Sequence, residues 1–176
     1  WNRETIIAYL LEQQRADGCF PLTDTERDNV DLTAMVLQAL TPYRQQEKVQ
    51  KAIDLALQYL EKNQQADGSF QLYGVSNAES CAQVLIALSG LGIDVQQDTR
   101  FIKNEHTVLD ALLSFQLTNG AFAHIVGESG NEMATAQSLM ALTSYERFLS
   151  KKSGIYDCEA LPIVFADIQD ASAWAQ

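Results

Sequence analysis

Cysteine and histidine are the side chains of this 176-residue sequence that could hold a metal ion or form a covalent cross-link. The three cysteines, Cys19, Cys81 and Cys158, are an odd number for a set of disulfides, and none belongs to a C-x-x-C pair. His106 and His124 do not stand at the i, i+4 or short-loop spacing of structural zinc sites. We therefore predict no metal site and no cofactor, and we expect the cysteines to be small buried side chains.

Composition and charge exclude several classes of partner. The sequence has 12 Lys and Arg against 23 Asp and Glu, a formal net charge of -11, and 47% of its residues are hydrophobic. That apolar content predicts a packed globular domain, and the negative field repels phosphate groups. No apolar run approaches the roughly 18 residues of a membrane-spanning helix. We expect no nucleic-acid partner and no membrane insertion.

A motif that ends in Asp/Asn-Gly-x-Phe occurs three times, with its glycine at Gly18, Gly68 and Gly120. Apolar residues precede each glycine by 11 and 8 positions, and a glutamine precedes it by 4. This spacing predicts a helix with one buried stripe. We expect the glycine to end that helix in the left-handed conformation, and the following Phe to fold back over the helix end.

A second, Ala-rich segment follows each turn, at residues 33–40, 81–88 and 135–142. Small side chains at these intervals suit close packing between helices. Ser76-x-x-Glu79 and Ser129-x-x-Glu132 match the capping box that begins a helix. The sequence thus predicts three helical hairpins of about 50 residues each, and because strand signals are weak we predict an all-α fold of stacked αα-hairpins. The expected helix pairs are 3–16 with 30–41, 46–65 with 78–89, and 105–118 with 131–149.

The repeated motif resembles the repeat of squalene and oxidosqualene cyclases, with Phe20, Phe70 and Phe122 where those enzymes usually carry Trp. Over residues 3–149 the chain is similar to the prenyltransferase/squalene-oxidase repeat superfamily. This resemblance implies an α/α toroid, in which an inner ring of parallel helices lies within an outer ring. Complete toroids have about six hairpins, so three would form a half-ring with open apolar ends. The segment before Trp1, the C-terminal tail or a second chain could cover those ends.

Terpene cyclases of this superfamily protonate their substrate with the middle Asp of a D-x-D-D-T-A motif, and the matching residues here run from Asn29 to Ala34. Asp31 stands at the position of the acid, but Asn29 and Leu32 replace its two carboxylate neighbours. A lone Asp near a helix N-terminus is stabilised as the anion, which makes it a poor acid. Asp31 is therefore a weak catalytic candidate, and a helix-capping role at the third helical position is the favoured interpretation.

Other activities of the superfamily fit less well. Protein prenyltransferases bind zinc with an Asp, a Cys and a His; Glu79 stands two positions before Cys81, but no helical His completes such a set. Cys19 does not stand in the thioester motif of complement-type domains. Cobalamin carriers, which also use an α/α toroid, have no short motif to test. A corrinoid-binding carrier therefore stays open as an alternative.

The tail differs from the repeats, so we divide the chain into a repeat domain at 1–150 and a linker with a further segment at 151–176. The stretch from Phe165 to Trp174 resembles the opening of an S-layer homology module. This resemblance implies an excised piece of a longer exported bacterial protein. Its completed modules would bind cell-wall polysaccharide and place it at the extracellular cell surface.

The sequence thus favours a non-catalytic module of a bacterial cell-surface protein that presents a concave face to an unknown ligand or protein partner. A degenerate terpene cyclase or prenyltransferase-like enzyme with Asp31 as general acid is the second hypothesis. We expect ligand contacts from the starts of the Ala-rich helices, from the loops before them and from nearby aromatic residues. The candidates are Asp28, Asn29, Asp31, Tyr73, Ser76, Asn77, Glu79, Phe122, Asn131 and Glu132.

Overall fold

The computed structural model describes residues 2–23, 25 and 29–156, so Asp28, Cys158 and the S-layer-like segment lie outside the described residues. The described part is built from helices, which confirms the predicted all-α fold. Among the described residues, none of the helices combines the length and the apolar character needed to cross a membrane. In chain order the helices are α1 (Arg3–Gln13), α2 (Val30–Leu40), α3 (Glu47–Asn63), α4 (Ala78–Leu91), α5 (Val108–Ser114) and α6 (Glu132–Leu149).

Two short antiparallel ribbons connect some of the helices, although strand signals in the sequence are weak. Their strands have two residues each: β1 (Gln71–Leu72), β2 (Val75–Ser76), β3 (Ile102–Lys103) and β4 (His106–Thr107). Strand β4 occupies residues predicted to be helical, so α5 begins at Val108 instead of 105. A capping box does form there, because the side chains of Thr107 and Asp110 each accept from the other's backbone N–H.

Asparagine caps the N-terminus of each Ala-rich helix. The side-chain oxygens of Asn29, Asn77 and Asn131 accept from backbone N–H groups three residues on, at 2.7, 2.8 and 3.0 Å. The capping boxes predicted from Ser76 and Ser129 are therefore wrong. The helices begin after Asn77 and Asn131, so these asparagines occupy the capping positions and the serines lie outside them.

The helices of the first motif end before the glycine and not at it, which corrects the prediction. Gln14 and Gln64 take an extended conformation that ends α1 and α3, and the glycine follows in a separate turn. Gln14 Nε2 donates to the carbonyls of Gly18 at 3.2 Å and Ala52 at 2.8 Å. Gln64 Nε2 does the same to Gly68 and Phe101, both at 3.0 Å. Each glutamine therefore joins its own turn to the next repeat.

The glycine turns pack directly on backbone of the following repeat. Gly18 and Gly68 have φ of +94° and +81°, and a Cβ added to them would lie 2.2 Å from Leu55 O and 2.3 Å from Thr107 O. Only glycine fits so close a contact in this conformation. The phenylalanines that follow the three turns, Phe20, Phe70 and Phe122, are buried alike, as predicted.

Helix α4 lies between α2 and α6 and forms the centre of the described fold. Its residues from Ala78 to Ser89 are buried. The side chain of Gln83 links α4 to both neighbouring helices. Its Oε1 accepts from Gln38 Nε2 in α2 at 2.9 Å, and its Nε2 donates to Gln137 Oε1 in α6 at 2.8 Å. The Ala-rich helices therefore form one closely packed inner layer, which fixes how their N-terminal ends lie relative to one another.

Candidate functional site

The N-terminal ends of α2 and α4 bring Asp31 and Glu79 into electrostatic contact. Because Asn29 and Asn77 are the capping residues, both carboxylates occupy the second helical position, one position earlier than predicted for Asp31. The two helices pack side by side, so the carboxylates lie at equivalent places of neighbouring repeats. The Glu79 charge raises the pKa of Asp31. The sequence candidates Asp31 and Glu79 thus belong to one site.

Asp31 is the carboxyl of this site whose pKa lies above its ordinary value. Burial is the main cause that raises its pKa, followed in the same direction by the charge of Glu79. The Ser80 hydroxyl and the charge of His124 oppose this shift. Asp31 Oδ1 and Ser80 Oγ are both buried, and within the described part of the chain neither has a hydrogen-bond partner. Burial outweighs the groups that oppose it, so the pKa of Asp31 stays above its ordinary value.

His124 completes the site from the loop that precedes α6. Its Nδ1 lies 2.7 Å from Glu79 Oε2, and its backbone carbonyl accepts from the N–H of Ala78 at 3.1 Å. The hydrogen bond from the Ala78 N–H to the His124 carbonyl holds His124 against the start of α4. Its ring is about half exposed, whereas the Glu79 side chain is nearly buried. The pair therefore connects the buried surroundings of Asp31 to the solvent.

Most other sequence candidates are accounted for by structural roles. Phe122 is buried in the core, and Tyr73 is exposed in the turn between β1 and β2. Ser76 Oγ lies 2.9 Å from Ser69 Oγ, and Glu132 is exposed in the first turn of α6. The asparagine candidates Asn29, Asn77 and Asn131 are the helix caps, and Asp28 lies outside the described residues.

His124 and Ser80 belong to the site but were not among the residues predicted from the sequence. Two residues after the Phe that recurs in each repeat, the first two repeats have Leu22 and Leu72, whereas the third has His124. A titratable residue in place of leucine at a repeated position was the available signal. No such signal in the sequence indicated Ser80, because its role depends on how α2 packs against α4.

Burial makes the two cysteines of the described residues poor nucleophiles. Cys19 and Cys81 are buried free thiols, and burial raises the pKa of Cys81 to about 12. In the described part of the chain, no group of three or more His, Cys, Asp and Glu is placed to hold a metal ion.

Asp31→Asn is expected to stabilise the protein at neutral pH. A carboxyl with a raised pKa in the folded state favours folding below its unfolded pKa, and this contribution is lost as the pH rises through the folded pKa. Removal of the buried charge should raise the free energy of unfolding by about 1 kcal/mol near pH ~7, with little change near pH ~3. Urea unfolding at both pH values measures this.

Asp98 is the control for this prediction, because Arg100 lowers its pKa through a side-chain hydrogen bond. Asp98→Asn should therefore lower stability slightly near neutral pH, the opposite sign. If Asp31→Asn also destabilises the protein at neutral pH, its carboxylate is stabilised by the fold and the electrostatic description above is wrong.

Comparison with known proteins identifies the family of this site. The family model for the squalene-hopene cyclase C-terminal domain matches residues 19–145, which is well over half of the chain and includes Asp31, Glu79 and His124. A curated relative is drimenyl diphosphate synthase from Streptomyces showdoensis, 26% identical over 138 residues. The match covers 76% of this chain and 25% of the relative, so the chain spans a quarter of that protein's length. The chain belongs to the family of squalene-hopene cyclase C-terminal domains.

Proposed function

We propose that these hairpins carry the acid of a terpene-cyclase-like active site, in which Asp31 protonates a carbon–carbon double bond of an isoprenoid chain. The observation that carries this proposal is the largely buried Asp31 carboxyl beside Glu79, with its buried Oδ1 and its raised pKa. An acid that protonates an alkene must keep its proton until the substrate is in place, and burial favours the protonated form. Membership of the cyclase family supports the same assignment.

The proposed step transfers one proton and leaves one cation. The O–H bond of the Asp31 carboxyl breaks, and the proton adds to one alkene carbon while the π electron pair forms the new C–H bond. The other alkene carbon becomes a carbocation, which neighbouring double bonds can attack to close rings. Asp31 remains as a carboxylate beside the positive charge, which it stabilises electrostatically. Loss of a proton from carbon, or addition of water, ends the reaction.

Glu79 and His124 have a supporting role in this proposal. Glu79 raises the pKa of Asp31, and His124 lies 2.7 Å from Glu79 with its ring half exposed. A proton from solvent can pass to His124 and then to Glu79, next to the site where Asp31 must be reprotonated after each reaction. This arrangement differs from the D-x-D-D motif, because the second carboxylate comes from a neighbouring helix instead of from residues beside Asp31.

The protonation state of Asp31 tests the proposal directly. We expect Asp31, assigned by its loss in Asp31→Asn, to titrate above the ordinary aspartate range in carbon-13 NMR spectra of labelled protein. Asp98, whose pKa is lowered by Arg100, should titrate below that range in the same spectra. An Asp31 that titrates at or below the ordinary value of about 3.9 contradicts the proposal.

Binding of a cation analogue tests the second half of the proposal, the stabilisation of positive charge. We expect a hydrocarbon tertiary amine to bind at neutral pH and to bind at least about tenfold more weakly to Asp31→Asn. Squalane, which has no charge, should bind both proteins equally. Equal amine binding by the two proteins, measured by calorimetry, would argue against Asp31 as the group that faces the cation.

A further inference from the structure

Ser80 lies close to the Asp31 carboxyl on the neighbouring helix. Asp31 stands at the second position of α2 and Ser80 at the third position of α4, and these two helices pack side by side. The Ser80 hydroxyl favours the charged form of the Asp31 carboxyl and lowers its pKa, an effect that needs the two groups to be near each other. They therefore meet across the contact between α2 and α4.

Each of these two groups has a buried polar atom that the described part of the chain leaves without a hydrogen bond. Ser80 is 0% exposed, and its Oγ has no partner there. Asp31 Oδ1 is also buried and without a partner there. Buried polar atoms are normally hydrogen-bonded, and a buried water molecule commonly serves those that the protein leaves unbonded. Ser80 Oγ and Asp31 Oδ1 together therefore form a site for one water molecule.

The hydrogen bonds of this water have a defined direction. The Ser80 hydroxyl carries one hydrogen and has no acceptor among the described protein atoms, so it donates to the water. The water then directs one of its own O–H bonds to Asp31 Oδ1, which is the acceptor. When the Asp31 carboxyl is protonated, its hydrogen is consequently on the other oxygen, Oδ2.

Oδ2 is also the oxygen that a ligand can reach. Asp31 is partly exposed, and of its two carboxyl oxygens only Oδ1 is buried without a partner among the described residues. We propose that one water molecule between Ser80 Oγ and Asp31 Oδ1 keeps the acidic proton of Asp31 on Oδ2, which makes Ser80 a positioning residue for the acid. This inference rests on the proposed function, because it specifies the oxygen from which Asp31 releases its proton to the alkene.

Three other titratable groups act on Asp31 or respond to its charge. Glu79 on α4 raises the pKa of Asp31 through its charge, and His124 in the loop before α6 lowers it. Cys81 on α4 responds to the charge of Asp31, but burial raises the pKa of Cys81 to about 12, so this thiol stays neutral. Within the described part of the chain none of the three bonds to Asp31 Oδ1. Ser80 is therefore the group through which the orientation of this carboxyl is set.

Carbon-13 NMR titration of Asp31 in Ser80→Ala tests this inference without an assay of activity. Loss of the hydroxyl and of its water removes the donor to Oδ1, so we expect Asp31 to titrate at higher pH than in the wild type. Ser138→Ala is the matched control, because Ser138 is also 0% exposed and its Oγ is also without a partner among the described residues. Ser138 lies on α6 and does not affect the pKa of Asp31, so this variant should leave the Asp31 titration unchanged.

A crystal structure of the wild-type protein tests the water site and does not depend on whether a variant folds. We expect one ordered water within hydrogen-bonding distance, about 2.7–3.0 Å, of both Ser80 Oγ and Asp31 Oδ1. Lack of such a water, an Asp31 titration that is the same in Ser80→Ala as in the wild type, or an equal shift in Ser138→Ala would overturn the inference.

Product formation separates failure of this inference from failure of the proposed function. Ser80→Ala should form cyclised product at least about tenfold more slowly, because the acid is no longer oriented. The alkaline limb of its rate profile should move to higher pH, the direction opposite to that expected when the Glu79 charge is removed. A wild-type chain that forms no product contradicts the proposed function and the role of Ser80 with it. A wild-type chain that forms product while Ser80→Ala has the same rate and pH profile contradicts the role of Ser80 alone.

Discussion

Gly68→Ala is expected to lower the free energy of unfolding by about 3 kcal/mol or more, whereas Gly120→Ala should cost only about 1 kcal/mol. Both glycines have a left-handed backbone, with φ of +81° and +87°, so the conformational cost of alanine is nearly the same. The difference is the contact with the next repeat. The Cβ at position 68 would lie 2.3 Å from Thr107 O and 2.7 Å from Thr107 C, and a backbone atom cannot turn aside as a side chain can.

Urea unfolding of the two variants measures this difference. Gly18→Ala should resemble Gly68→Ala, because its Cβ would lie 2.2 Å from Leu55 O. An equal loss of unfolding free energy in Gly68→Ala and Gly120→Ala would mean that the packing of the turn against the next repeat does not contribute to stability. The fold would then depend on the inner helices alone.

The repeat pattern predicted the architecture because its signals are local. The spacing of apolar residues before Gly18 and Gly68 defined the helices, and the Phe after each turn was expected in the core, where the structure places it. The pattern did not show that Gln14 and Gln64 bind carbonyls of the next repeat, since those acceptors lie 38 and 37 residues further along the chain. Contacts over such distances follow from packing and leave no trace in local spacing.

Errors in the helix boundaries have a related cause. Serine and asparagine are both good capping residues, so Ser76 and Asn77 are equivalent by residue type alone. Asn77 is the capping residue because Ser76 belongs to strand β2, which ends before the helix begins. Strands as short as β3 and β4 contain too few residues for an alternating pattern, so the sequence could not place them.

The candidate site was predicted only in part. Sequence placed Asp31 and Glu79 at helix starts, but it favoured a capping role and a stabilised anion for Asp31. In the structure the pKa of Asp31 is raised, mainly by burial and then by the charge of Glu79. His124 lies 45 residues from Glu79 in sequence, and their contact depends on the placement of the loop before α6. The cell-surface location, wall binding and the non-catalytic role stay predictions.

Asp31→Asn is expected to lower the formation of cyclised product at least about 10³-fold, since an amide cannot donate a proton to an alkene. The assay incubates the chain with squalene or with a C15 polyprenyl diphosphate and measures products by gas chromatography and mass spectrometry. Stability near neutral pH should not fall in this variant, so loss of product would report loss of the acid and not unfolding.

Glu79→Gln is the informative comparison, because the Glu79 charge raises the pKa of Asp31. Without that charge the pKa of Asp31 falls, so the carboxyl loses its proton at lower pH and the alkaline limb of the rate profile should move to lower pH. A purely structural Glu79 would reduce the rate equally at every pH. Asp31→Asn that keeps its rate within about tenfold, or a wild-type chain that gives no cyclised product from either compound, would contradict an acid site at the start of α2.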